Sequence, residues 1–291
     1  AWVRSFLRNG MTIRAVQNIT GIHWDTIRYL QSKMMAEPLE ERKQQLLAAW
    51  YHPQYLAVDE FAIHKGHTYA TSVMDLQTGE VLWVGSGRSK AEFERFFDEV
   101  EPSFLADVKA VAMDMNASYH LVVKEKMPDV DIVYDRYHMQ AQFGKDVLGV
   151  VRLDEARKHK AQAAELAQSL AGRNAEEKKQ VKEQIQSEKQ QYRQIKRLRW
   201  TLLTSGDTLQ DHQAEHLNSI LDSHSDLAVC YAMKEELCRL FTLRDPVEAE
   251  AAWTAWFCAA KESGIAPLVR FAVLKEPRLP GLIAHAVHPV S

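Results

Sequence analysis

The chain has 291 residues, of which 46% are hydrophobic and 26% charged, and a net charge of −3. That length allows one to three domains with a normal core, and the composition excludes a largely disordered chain. The near-neutral balance excludes a uniformly basic nucleic-acid coat, so any DNA contact must come from local basic patches.

The first region, residues 1–50, reads as helical. "TIRAVQNITGIHWDTIRYLQSKM" holds two apolar-periodic segments either side of Gly21, with Thr12 as a candidate N-cap. Val16, Ile19, Ile22, Ile27 and Leu30 are expected to face inward. The exposed face of the second helix then shows Trp24, Asp25, Arg28, Gln31 and Lys33. This is the layout of a helix-turn-helix, in which a second helix reads DNA, although an ordinary helical pair has the same pattern. Trp24, Arg28 and Lys33 are the DNA-contact candidates. "EPLEERKQQLLAAW" reads as a separate linker helix.

Residues 51–143 alternate strand and helix. Leu56–Ile63, Thr68–Asp75 and Val81–Gly85 read as strands, the last two joined as a hairpin at "LQTGE". Ser89 can cap a helix over Lys90–Val100. Val108–Met113 is a short buried strand, Ala117–Lys126 a helix ending before Pro128, and Asp131–Tyr134 a strand leading into "DRYH". The order β-β-β-α-β-α-β, with the first three strands antiparallel, is an α/β RNase H-like arrangement. Two apolar runs each deliver one aspartate, Asp59 and Asp114. In such a sheet the first and fourth strands are neighbours, so the two acids would meet. Two close carboxylates repel unless a cation intervenes. Oxygen donors without Cys or His suit Mg²⁺ or Mn²⁺. A pair of such ions supports phosphoryl transfer on a nucleic-acid backbone. Glu60 adjoins Asp59, but side chains alternate along a strand, so only one of the two can enter the site. Asp135 and His138 in "DRYH" either form a local hydrogen bond or support the metal ligands or the DNA from outside the direct contacts.

Residues 144–291 read as an all-helical block. The segment to about residue 202 is polar and charge-rich, with a hairpin break at Gly172–Asn174. Its basic end, which includes Arg197, Arg199 and Trp200, is either a solvated face or a contact to DNA backbone and bases. Cys230, Cys238 and Cys258 lie in helical patterns without zinc-ligand spacing, and three thiols cannot all pair. Reduced core thiols and a cytoplasmic location are expected. No apolar run approaches the ~18 residues of a membrane span, and no signal peptide is visible.

Three motifs in this order, "LAVDEFAIHKGHTYATSVMDLQTGEVLWVGSGR", "AVAMDMNASY" and "IVYDRYH", resemble the ISL-three group of bacterial insertion-sequence transposases. The resemblance covers nearly the whole chain. It implies a DDE enzyme with an RNase H-like core, metal-dependent cleavage and strand transfer, and DNA ends plus target DNA as partners. It further implies two Mg²⁺ or Mn²⁺ ions, a homo-oligomer assembled on DNA, and association with the nucleoid when bound. By the same resemblance Asp59, rather than Glu60, and Asp114 match the first two catalytic and metal-binding acids. The helical block matches an insertion that precedes the third acid, a glutamate. In the family that glutamate follows a segment like "HPVS", so this chain is expected to stop short of it. It is also expected to lack the cysteine-rich segment ahead of the helix-turn-helix. The chain alone would then be an inactive fragment. A structure-selective nuclease on the same fold, or a non-catalytic DNA-binding remnant, are the alternatives.

Overall fold

A computed structural model describes residues 2–46, 51–64 and 68–290. The chain divides into two units, Ala1–Lys109 and Ala110–Ser291.

The first unit opens with three helices, α1 (Trp2–Arg8), α2 (Ile13–Thr20) and α3 (Trp24–Leu46). Thr12 caps α2 by accepting from the Ala15 amide at 3.2 Å. Gly21 ends α2 at φ 69°, a left-handed conformation that costs glycine nothing. Val3, Val16 and Ile27 form the core of this trio, with Ile22 and Leu30 packed against them. Ile19, expected inside, is 59% exposed. It lies about one turn from Val16 but rotated off the buried stripe that Val16 occupies. Nor is the linker helix separate: α3 runs on unbroken past Pro38 to Leu46, and the rest of that expected helix, residues 47–50, lies outside the described residues.

Three strands follow, β1 (Tyr55–His64), β2 (Thr68–Asp75) and β3 (Val81–Gly85). They pair antiparallel in sequence order, with Asp59 opposite Ser72 and Glu60 opposite Thr71. The β2–β3 hairpin is held by the buried Asp75. Its carboxylate accepts from the Gln77 amide at 2.8 Å, from Thr78 Oγ1 at 3.1 Å and from the Tyr51 hydroxyl. Helix α4 (Lys90–Glu99) is capped by Ser89, as its sequence predicts, and buries Phe93 and Phe96.

The second unit begins with β4 (Ala110–Met113), two residues later than the apolar run suggests. Helix α5 (Ala117–Lys126) and β5 (Asp131–Tyr134) follow, and β5 pairs parallel with β4. All four residues of β4 are buried, as a parallel strand covered on both faces requires. In the first unit the strand order is β3-β2-β1, and in the second β4 pairs with β5. The helical remainder comprises α6 (Arg136–Phe143), α7 (Gly149–Gln168), α8 (Ala175–Arg197), α9 (Arg199–Leu203), α10 (Asp211–Leu221), α11 (Ser225–Leu240), α12 (Pro246–Glu262), α13 (Ala266–Lys275) and α14 (Leu279–Val287). A wide π-type turn over Gly144–Leu148 joins α6 to α7. Asn174 and Glu177 form a reciprocal capping box at the start of α8, just past the predicted hairpin break. Helix α8 exposes its charges and buries Val181, Ile185 and Ile195.

The core of the block is aromatic. Trp253 and Trp256 pack against Phe241 and Phe257, and Phe143 against Trp256 and Phe271. Of the three cysteines only Cys230 is buried, while Cys258 is exposed. The expectation of core thiols fails for Cys258 because it lies on the side of α12 turned away from Trp253 and Phe257.

Helix α14 lies close against β5. A Cβ at Gly281 would stand 2.4 Å from the Tyr134 ring and 3.0 Å from the Ile132 carbonyl oxygen. Tyr134 is 1% exposed and has little room to yield. Gly281→Ala is therefore expected to destabilise the second unit by about 1–3 kcal/mol. A lower urea midpoint at unchanged slope would show it, and an unchanged midpoint would refute it.

Candidate catalytic and DNA-contact residues

Strand alternation settles which way the two acids on β1 divide. Leu56 and Val58 are 1% and 3% exposed, so the even-numbered residues share the buried face and Glu60 follows them. Asp59 is on the opposite face, exposed, and its Oδ1 accepts from the Glu60 amide at 2.7 Å.

In the second unit Asp114 leaves the carboxyl end of β4, the end at which ligands gather in α/β sheets. The chain then turns into α5, where Asn116 caps the helix by accepting from the Ser118 amide at 2.9 Å. Asp114 is half-buried and has a cationic neighbour that the sequence does not announce. Lys275, at the end of α13, donates to Gln142 Oε1. Burial pushes the Lys275 pKa down, Asp114 draws it back up, Arg278 opposes, and Asp146 helps to hold the charge. No local pattern links these positions, since only the packing of α13 joins them.

Asp135 ends β5 and caps α6. Its Oδ1 accepts from the Tyr137 amide at 2.5 Å and the His138 amide at 3.3 Å. Of the two roles open from sequence, the local hydrogen bond is thus present. His138 Nδ1 stands 3.5 Å from Asp135 Oδ2, but the pair is not aligned, and this buried nitrogen has no hydrogen-bond partner. His285 on α14 also buries an unpartnered Nδ1. Burial lowers its pKa, Arg244 and Arg136 add to that, and Asp135 opposes them. His285 is therefore held neutral near ordinary pH.

The DNA-contact candidates are at the surface in two groups. On α3, Trp24, Arg28 and Lys33 are exposed and Gln31 is half-buried. The Arg28 guanidinium lies 5.3 Å from the Trp24 ring centre, and the Lys33 ammonium 5.4 Å from that of Tyr29. At the α8–α9 junction Arg197, Arg199 and Trp200 are all exposed, with Arg199 5.0 Å over the Trp200 ring. Among the described residues no three His, Cys, Asp or Glu side chains converge as a metal-binding cluster. No helix there is long and apolar enough to cross a membrane.

The sequence model of the ISL3 DDE transposases, described as a transposase family, matches residues 56–277. The chain belongs to the ISL3 transposase family. It is 33% identical over 287 residues to the transposase for insertion sequence element IS1001 of Bordetella parapertussis. That alignment covers 99% of this chain and 63% of the relative. It is 24% identical over 247 residues to the transposase for insertion sequence element IS1557 of Mycobacterium tuberculosis, covering 83% of this chain and 52% of that protein. The chain thus spans roughly half to two-thirds of the length of these transposases. The part matched by the ISL3 model includes Asp59, Asp114, Asp135, His138, Arg197, Arg199, Trp200 and Lys275, whereas α1–α3 precede it.

Proposed function

We propose that the protein is the transposase of an insertion sequence, cutting DNA at the element's ends and joining it to a target. Membership of the ISL3 family carries this reading. Within it, residues 51–143 form an RNase H-like catalytic core, residues 1–50 a helix-turn-helix with its linker, and residues 144–291 a helical insertion. The β-β-β-α-β-α-β order and the antiparallel first three strands support the core assignment.

Asp59 on β1 and Asp114 after β4 are the catalytic carboxylates of this proposal, supported by their places on strands within the part of the chain that the ISL3 model matches. Both are hard oxygen donors, as Mg²⁺ or Mn²⁺ prefers. When bound, such ions would supply Lewis-acid stabilisation of charge on the scissile phosphate. Lys275 would balance the charge of Asp114 in the metal-free protein and help hold a phosphate close to it. Asp135 and His138 fix the chain where the core passes into the helical block, and the Asp135 amide donates to the Met113 carbonyl, next to Asp114. Partners are the insertion ends and target DNA, with a homo-oligomer assembled on them.

The complete protein should nick and join insertion-end DNA only when Mg²⁺ or Mn²⁺ is present. Absence of end-specific cutting by the complete protein would overturn the reading. Sequence recognition is assigned to α3. Arg28→Ala should lose about 1–3 kcal/mol of binding to insertion-end DNA, as for an arginine that reads a base. Binding to insertion-end and random duplexes at one salt concentration checks this. Equal affinity of the parent protein for both would remove the reading role.

A further inference from the structure

A groove of about 450 Å³ in the second unit is lined by Tyr137, Lys145, Leu148, Arg152, Arg199 and Leu203, among others. The π-type turn over Gly144–Leu148 forms one of its walls, and such turns recur at binding sites because they widen the helix locally. Arg152 is only 7% exposed. Its guanidinium donates to the Lys196 carbonyl at 2.6 Å. Among the described residues no carboxylate pairs with Arg152 or Arg199. The acids nearest in sequence are taken: Asp154 binds Arg157 at 2.6 Å, and Glu155 binds Lys158 at 2.6 Å and His224 at 3.3 Å. Burial lowers the Arg152 pKa and the neighbouring Arg199 charge lowers it further, which is the mark of two cations lacking an anion. Buried charge without a counter-charge is costly, so an anionic ligand fits here. Tyr137, which lines the groove, is 72% exposed, and Trp200, whose ring lies 5.0 Å from the lining Arg199 guanidinium, is 71% exposed, unusual for rings with nothing to cover.

We propose that this groove binds an unpaired strand of DNA, a backbone phosphate lying between Arg152 and Arg199 and a base stacking on Trp200. The inference rests on the transposase reading for its choice of nucleic acid, and it adds a single-strand site built from residues other than the two carboxylates. The apolar floor of Leu148 and Leu203 suits the edge of a base. The groove is the size of a site for one small ligand, too small for a duplex. An aromatic face is available to a base only when that base is unpaired.

The test is the affinity of the 291-residue chain for a labelled single-stranded oligonucleotide, in EDTA so that metal chemistry takes no part. Trp200→Ala and Arg199→Ala, both exposed positions, should each weaken binding about tenfold while circular dichroism stays unchanged. Arg199→Ala should also reduce the slope of log affinity against log salt by about 0.7, the loss of one single-strand phosphate contact. Arg152→Lys, which keeps the charge but loses the fork, should weaken binding as well. The same oligonucleotide made duplex should bind no better through this groove, so Trp200→Ala should leave duplex binding within twofold. Inorganic phosphate should compete only at high concentration. Single-strand binding unchanged within twofold in both exposed variants, or an equal loss for duplex, would overturn the proposal. The two readings fail separately. Metal-dependent cutting by the complete protein without groove-dependent strand binding sinks this inference alone. Groove-dependent binding without cutting sinks only the transposase reading.

Discussion

Asp59→Asn or Asp114→Asn in the complete protein is expected to cut the rate of metal-dependent DNA cleavage by at least ~10³-fold, about 4 kcal/mol of barrier. Asparagine keeps the shape of each side chain and one oxygen, so the fold should be retained. What is lost is the negative charge that, on the proposed reading, would hold a divalent cation. Asp59 is on the exposed face of β1, so no buried partner is orphaned by the change. Asp114 has Lys275 as a cationic neighbour, and its substitution should leave that ammonium without its nearest compensating charge. If both hold the same metal ions, as proposed, the double variant should lose scarcely more than either single one, since groups that act as a unit are strongly non-additive. Glu60→Gln is the control. Glu60 shares the face of the buried Leu56 and Val58, so cleavage should stay within about tenfold. Single-turnover cleavage and Mn²⁺ titration of each variant measure these effects. Cleavage by Asp59→Asn at more than a tenth of the parent rate would mean that the acid on β1 is not catalytic.

What the sequence disclosed was mostly local. Thr12, Ser89 and the break before Asn174 mark helix starts because a cap is a contact between residues three apart. The strands were legible for a similar reason, as the 56–63 and 68–75 runs carry β-branched and aromatic residues up to a turn built on Asp75 and Gly79. Asp59 and Asp114 stood out because an acid at the centre or end of an apolar run conflicts with its setting. Tertiary facts were not legible. Ile19 fits the helical stripe yet stays exposed, since periodicity gives the angle of a face but not the width of what covers it. A linker helix was expected over "EPLEERKQQLLAAW", whereas α3 runs from Trp24 to Leu46 without interruption, since helical pattern alone does not mark where one helix passes into the next. Lys275 beside Asp114, and Arg152 beside Arg199, come together only through packing of helices far apart in the chain. No spacing rule encodes either pair.

Trp253→Ala and Trp200→Ala are expected to behave as opposites, although both remove an indole from the helical block. Trp253 is 1% exposed and its ring meets Phe241 at 5.2 Å, Phe257 at 5.8 Å and Trp256 at 6.1 Å. Truncating it removes the transfer free energy of the ring and leaves a cavity that these stiff neighbours cannot fill. The cost should be about 3–5 kcal/mol. Domains are commonly stable by only 5–15 kcal/mol, so this is a large fraction of the total and should lower the yield of soluble protein. Trp200 is 71% exposed, with Arg199 against one face, so its removal should stay within about 0.5 kcal/mol. Urea unfolding of the two variants followed by circular dichroism measures the difference; because the chain has two units, the transition of the second, Ala110–Ser291, is followed by itself. A cost under about 1 kcal/mol for Trp253→Ala would mean that the aromatic cluster is not the core of the block. The two variants also separate stability from binding. Any loss of DNA binding in Trp253→Ala should track the unfolded fraction and recover on cooling or with osmolyte, because the surface it disturbs is intact whenever the block is folded. Loss of single-strand binding in Trp200→Ala should persist at every temperature at which the protein is folded, because what is missing there is the contact itself.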